Sequence, residues 1–326
     1  MDVPEAKIQH AKGMSRLRCE EFINLARRRF KSVVCIIVFV AESAIAGLCQ
    51  QATPSIRELL RETVQNEIRS NNNGDKFFFR DHKETGRGSQ VKLIVETREG
   101  TAGLLIANDG KPLTADQKQA EEMRLDTLVH NPAELKKKQK SDREDTEHTI
   151  RIMNALPDAF IYQQDGTETG SEGLGNPGDE LVRLKFRPDP KYVPPTHTEQ
   201  VLTGLQGYIL IDANKKRIAK IDGTLFKEVN FGWGILGRLD KGGHFLVQQG
   251  TVGEGCWEVT RMDLSFTGKE LLIKKLTIKS NEFFSDFRPA PSNLTFAQGV
   301  ELLKKQQAEL AENHDQAGSL GTNRRQ

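Results

Sequence analysis

Histidines, cysteines, serines and paired carboxylates are the residues that could do chemistry, and their spacing in this chain does not assemble them into working sets. Five histidines outside the terminal segments stand at 82, 130, 148, 197 and 244. None is spaced with another as H-x-x-x-H or set with cysteine as a zinc site requires, so no metal is expected. No serine sits in a G-x-S-x-G turn, which leaves His244 without a nucleophile to activate. Asp212 and Asp222 flank a strand hairpin and read as turn residues rather than as an acid and a base. Gly173-Leu174-Gly175-Asn176-Pro177-Gly178 matches G-x-G-x-x-G by letter. No strand leads into it and no helix leaves it, so a phosphate cradle would have no scaffold. No catalytic residue and no cofactor follow from these patterns, and the chain reads as non-enzymatic.

Binding is the chemistry that remains. In Val229-Asn230-Phe231-Gly232-Trp233-Gly234-Ile235-Leu236-Gly237-Arg238-Leu239, glycines interleave with large apolar residues, as at a bulge, a sharp bend or a close backbone approach. Phe231 and Trp233 then have two readings, core residues of a bent strand or the lining of a ligand cavity. With Phe226, Phe245 and Trp257 they are the candidates for a cavity wall against an apolar ligand. Lys136-Lys137-Lys138 is followed by Asp142, Glu144, Asp145 and Glu147, which makes it a solvated helix face.

The N-terminal segment reads as an export signal. Arg27, Arg28, Arg29 and Lys31 precede the apolar run Val33 to Val40, and Ala44-Ile45-Ala46 fits an A-x-A cleavage site at Ala44 and Ala46. The alternative is an uncleaved inner-membrane anchor, but a spanning helix needs roughly 20 apolar residues and Glu42 interrupts this one early. Met14 competes with Met1 as the start. Leu48 before Cys49 argues against lipidation there, because lipoprotein signals carry a small residue at that place.

Removing residues 1–46 changes the balance of the chain. The net charge of +2 becomes about −1. No basic cluster of the kind that displaces counterions from phosphate remains, so nucleic acid is not an expected partner. Of the four cysteines, Cys49 and Cys256 remain, which excludes a disulfide framework and leaves one bridge open.

The periodicity predicts a helix with Ile56, Leu59, Leu60, Val64 and Ile68 on one face, ending at Asn71-Asn72-Asn73-Gly74. Strands follow at Phe77 to Arg80, Gln90 to Thr97 and Leu104 to Ile106. Thr114-Ala115-Asp116-Gln117 has the spacing of a capping box for a helix to His130, and Asn131-Pro132 opens a second helix that Pro157 ends. From Leu181 short strands alternate with tight turns: Leu181 to Phe186, Gly207 to Asp212, Arg217 to Asp222, Leu225 to Phe231, His244 to Val252, Cys256 to Phe266 and Lys269 to Ser280. Turns are expected at Asp240 to Gly243, Gly253 to Gly255 and Thr267-Gly268, which makes this half an antiparallel meander. A helix over Phe296 to Leu310 closes the domain.

The leader, the first helix, the hairpin ending Asn108-Asp109-Gly110-Lys111-Pro112-Leu113 and the hairpin Gly204 to Asp212 with its return from Arg217 to Asp222 resemble the LolA/LolB-like superfamily. That superfamily includes outer-membrane lipoprotein carriers and the sensor RseB. The resemblance covers most of residues 54–310. It implies an α+β fold, a strongly curved antiparallel sheet that forms an unclosed barrel with helices covering its concave face. It also implies a periplasmic protein that binds a lipid or lipoprotein acyl chain without catalysis. The alternative within the same superfamily is an envelope sensing or interaction protein with an envelope protein partner. Membrane association would then be peripheral or through an uncleaved leader. The expected organisation is a leader over 1–46 and a single domain over 47–312, with a charged helical insertion near 114–156 and a flexible loop near 163–179. A disordered tail over 313–326 completes it.

Overall fold

In this computed structural model the described residues are 55–73, 75–231, 237–253, 255–270 and 274–322, with the side chains of 72, 73 and 311–322 left aside. The leader with Ala44 and Ala46, Cys49 and Trp233 lie outside them.

Helix α1 (Ile56–Asn73) starts where Ser55 and Glu58 form a reciprocal cap: Ser55 Oγ accepts from the Glu58 amide at 3.2 Å and Glu58 Oε2 accepts from the Ser55 amide at 2.9 Å. Its apolar stripe buries Leu60 and Val64 completely. Helix α2 (Ala115–His130) carries the expected capping box, with Thr114 Oγ1 and Gln117 Oε1 each accepting the other residue's amide. Asn131 both ends α2 and caps helix α3 (Pro132–Ala159), its Oδ1 accepting from the amides of Ala133 and Glu134. The 28 residues of α3 make a rod about 42 Å long. It continues two residues past the expected stop at Pro157, although that proline has no N–H to donate to the Met153 carbonyl. A short helix α4 (His197–Gln200) and the terminal helix α5 (Phe296–Thr322) complete the described helices. The part of α5 beyond Leu310 runs into the expected tail, through the good helix formers Ala311 and Glu312.

The strands are β1 (Lys76–Thr85), β2 (Gly88–Thr97), β3 (Gly100–Asn108), β4 (Lys111–Pro112), β5 (Phe160–Thr169), β6 (Glu180–Pro188), β7 (Leu205–Asp212), β8 (Arg217–Leu225), β9 (Val229–Phe231), β10 (Gly237–Leu239), β11 (His244–Thr251), β12 (Trp257–Glu270) and β13 (Lys274–Ala290). All 13 described strands form one antiparallel sheet that does not close into a barrel, eleven of them in the order β4-β3-β2-β1-β13-β12-β11-β8-β7-β6-β5. The α+β class and the open, curved sheet are therefore as the sequence reads. From β5 onward it is a meander, with the β9–β10 hairpin set aside to pair with the far end of β12. The first and last of these strands in chain order meet where β13 pairs with β1. Helices α2 and α3 connect one sheet edge, β4, to the other, β5.

Register assigns the helices to faces, since directly opposed residues share a face. The line Ile209, Ile221, Val247, Met262, Glu282, Lys83 crosses the sheet and places Phe77 and Phe79 on the face covered by α1 and α3. Phe78 is one residue out of step and belongs with Leu93 and Val95, where α2 and α5 pack through Leu125, Phe296, Val300 and Leu303. Helical cover is thus divided between the faces. Leu93, Ile94 and Val95 are buried in succession, as a strand covered on both sides requires.

Some elements differ from the sequence reading. The strand expected over Leu225 to Phe231 is interrupted between β8 and β9. Thr267-Gly268 is not a turn: β12 passes through it, and Gly268 lies so near the Arg238 carbonyl that a Cβ would collide. The segment expected as a loop over 163–179 begins as β5, which runs to Thr169. Its remainder is bound to β11, with Gly175 N donating to Gln249 O at 2.8 Å and Thr251 N donating to Gly175 O at 3.0 Å. Gly175 takes a left-handed φ of 65° and packs on Leu181 and Ala219.

Candidate ligand cavity

A cavity of about 820 Å³ lies between α1, α3 and the strands β8, β11 and β12, with Asp75 and Phe77 at its margin. That volume suits a small apolar ligand. Each wall follows from a periodicity. Ile68 is the next turn of the α1 stripe after Val64, Ile152 and Met153 come from the last turns of α3, and Phe245, Val247 and Gln249 are alternate residues of β11. Ile221 faces Val247 across the β8–β11 pair.

One end of the cavity is charged. Glu67 Oε1 accepts from Arg217 Nε at 2.9 Å and from the Ile218 amide at 2.7 Å, and the two side chains are 8% and 13% exposed. Arg217 also donates to Ser70 Oγ at 3.1 Å, and its guanidinium lies over the Trp257 ring, 5.6 Å from the centroid. Burial raises the Glu67 carboxyl above its ordinary range, against the pull of Arg217. Glu96 Oε2 accepts the Phe77 amide at 3.1 Å, and burial raises this carboxyl too. Glu258 is pushed up to about 7, first by burial and then by the charge of Glu96. A carboxyl titrating near neutrality inside an apolar chamber can accept a hydrogen bond when ionised and donate one when protonated.

Of the cavity-wall candidates read from the sequence, Phe245 and Trp257 line this chamber. Trp257 is buried and also packs on Leu181, Leu210 and Ala219. Phe226 sits after β8 with the Lys227 ammonium over its ring, and Phe231 packs on the cluster that includes Leu202 and Val229; neither lines the cavity. The sequence reading missed Glu67, Arg217, Glu258, Ile152 and Met153. The signal for Glu67 was its place on the apolar stripe of α1 between Val64 and Ile68. Glu258 gave none, since it is one acid among the polar residues of a strand.

The remaining reactive groups are dispersed. His244 Nε2 lies 3.0 Å from Asp222 Oδ1, so Asp222 is a strand residue paired across β8 and β11 rather than a turn residue. Asp212 does hold a turn, accepting from the amides of Asn214 and Lys215. Cys256 Sγ lies 3.3 Å from Asp75 Oδ2 at the cavity margin. Among the described residues no three His, Cys, Asp or Glu are grouped to hold a metal ion, and no helix is long and apolar enough to cross a membrane. No family model, curated protein or solved structure matches the chain.

Proposed function

We propose that this chain is an exported envelope protein that holds an apolar chain, such as a lipid or a lipoprotein acyl chain, in the cavity between α1, α3 and the sheet, and that it catalyses no reaction. The observation that carries the reading is the cavity itself, about 820 Å³ with Ile68, Ile152, Met153, Ile221 and Val247 on its walls. Each methylene moved from water onto such walls contributes about 0.8 kcal/mol before the entropy cost of binding. The address comes from Arg27 to Ala46, and the class of ligand agrees with the resemblance to the LolA/LolB-like superfamily.

Mass spectrometry of an organic extract of the purified protein, with titration of a fluorescent acyl probe, tests the reading. Bound lipid or saturable uptake is expected in the parent protein, and Val247→Trp, which narrows the chamber at its β11 wall, is expected to lower uptake at least about tenfold. Absence of both lipid and uptake would overturn the carrier function and leave the envelope sensor with a protein partner. Mapping the N-terminus of the exported protein tests cleavage after Ala46.

A further inference from the structure

The acids around the cavity are not equally satisfied. Glu67 holds Arg217 and the Ile218 amide, and Glu96 holds the Phe77 amide with Lys76 acting on its charge. Asp75 lies beside Cys256 Sγ. Glu258 lines the chamber, and its carboxyl has no hydrogen bond or ion pair with another described residue; burial and the charges of Glu96 and Glu67 act against its ionisation, Arg217 and Lys76 in favour. Arg69 of α1 and His148 of α3 face the same chamber, Arg69 from an exposed position.

We propose that the bound amphiphile has a cationic head, an alkylammonium group, which seats against the Glu258 carboxylate while its chain lies along Ile152, Met153, Ile221 and Val247. The proposal rests on the apolar-chain reading of the cavity. An ammonium brings both N–H donors and the countercharge that a partly buried carboxylate without an ion-pair partner lacks. An anionic head at the same place would meet Glu258 directly and feel the charges of Glu67 and Glu96 that already act on it, with Arg217 committed to Glu67. A neutral head would offer a donor without the charge. As Glu258 titrates near neutrality, preference for the cation grows from pH 6 to pH 8, as more of the carboxyl ionises.

The test uses one chain length and three heads, dodecylamine, dodecanol and dodecanoate, titrated into the purified full chain at pH 8 in competition with a neutral fluorescent probe. Dodecylamine is expected to bind at least about tenfold tighter than dodecanol, as a charge-assisted hydrogen bond gives, with dodecanoate the weakest. In Glu258→Gln the ratio of amine to alcohol affinity is expected to fall by about tenfold, circular dichroism confirming the fold. Equal binding of amine and dodecanoate by the parent protein overturns the head-group assignment even if the variant does not fold. An unchanged ratio in a folded variant overturns it too, and both results leave the apolar cavity in place. If none of the three binds, the cavity reading falls and the head group with it.

Discussion

Glu67 and Arg217 show how one ion pair serves both the fold and the cavity. The pair joins α1 to the start of β8, and both side chains are nearly out of water, so neither can rely on solvent if the other is lost. Glu67→Ala is expected to cost about 3 kcal/mol, because it leaves Arg217 buried without its counter-charge and the Ile218 amide without an acceptor. Glu67→Gln retains an acceptor for that amide and should cost less; urea midpoints of the two variants check the order. Glu258 makes the opposite contribution. Its folded pKa of about 7 lies above an ordinary value of 4.5, so the folded chain binds more protons than the unfolded one between those values. Stability from this group is therefore greatest at low pH, falls as pH rises through that window and is flat above it. Glu258→Gln should remove that slope and stabilise the protein at pH 8 by on the order of 2 kcal/mol relative to the parent. Parallel pH profiles for the two proteins would remove the basis for a desolvated Glu258.

The elements divide sharply into those whose local signals suffice and those set by distant partners. The stripe of α1 and the capping box at Thr114 lie within a few residues of chain, and both form as their spacing requires. By contrast, β13 runs on to Ala290 where the sequence gives no strand pattern. Phe283 and Phe284 are adjacent rather than alternate, and Asp286 takes a left-handed φ of 57° where the register with β1 shifts. That stretch is a strand because β1 pairs with it, and no nearby residue carries the information. The cavity was half legible for the same reason: alternation exposes Phe245, but only the placement of α3 over β8 and β11 brings Ile152 and Met153 to it. Gly299 of α5 is a further case. A Cβ there would lie 2.7 Å from Thr97 Cγ2 and 3.0 Å from Val95 Cγ1, both stiff branched side chains. Alanine or valine would ordinarily favour a helix over glycine, yet Gly299→Val is expected to destabilise by about 2 kcal/mol through overpacking against β2. Thermal melts in which this variant equals or exceeds the parent would mean that α5 does not seat so closely.

Because β13 pairs with β1, the sheet joins two regions with separate apolar clusters. Leu93, Val95, Ala102 and Leu104 are closed over by α2 and α5, while Leu184, Ile209, Ile211 and Ile218 are closed over by α1. The first region depends on a helix that the chain supplies last. Phe296, Val300 and Leu303 are almost fully buried in it, and their burial is worth roughly 5 to 9 kcal/mol in all. That is comparable with the whole stability of an ordinary domain, about 5 to 15 kcal/mol. The Lys304 to Asp126 bridge between α5 and α2 is half-exposed and adds little. The Phe296 backbone amide donates to Glu99 Oε2 at 2.7 Å, and the Gln139 side-chain Nε2 donates to the backbone carbonyl of the same Glu99 at 2.9 Å. One turn between β2 and β3 therefore fastens both α5 and the first half of α3. A chain ending at Pro291 is expected to lose hydrogen-exchange protection in α2, β2 and β3 while β6, β7 and β8 retain theirs, since α1 and the second half of α3 still cover them. Uniform loss along the sheet would instead show that the β13–β1 junction couples the two clusters into one cooperative unit. In that case the cavity would share the fate of a helix that does not touch it, and acyl-probe uptake would vanish with the truncation.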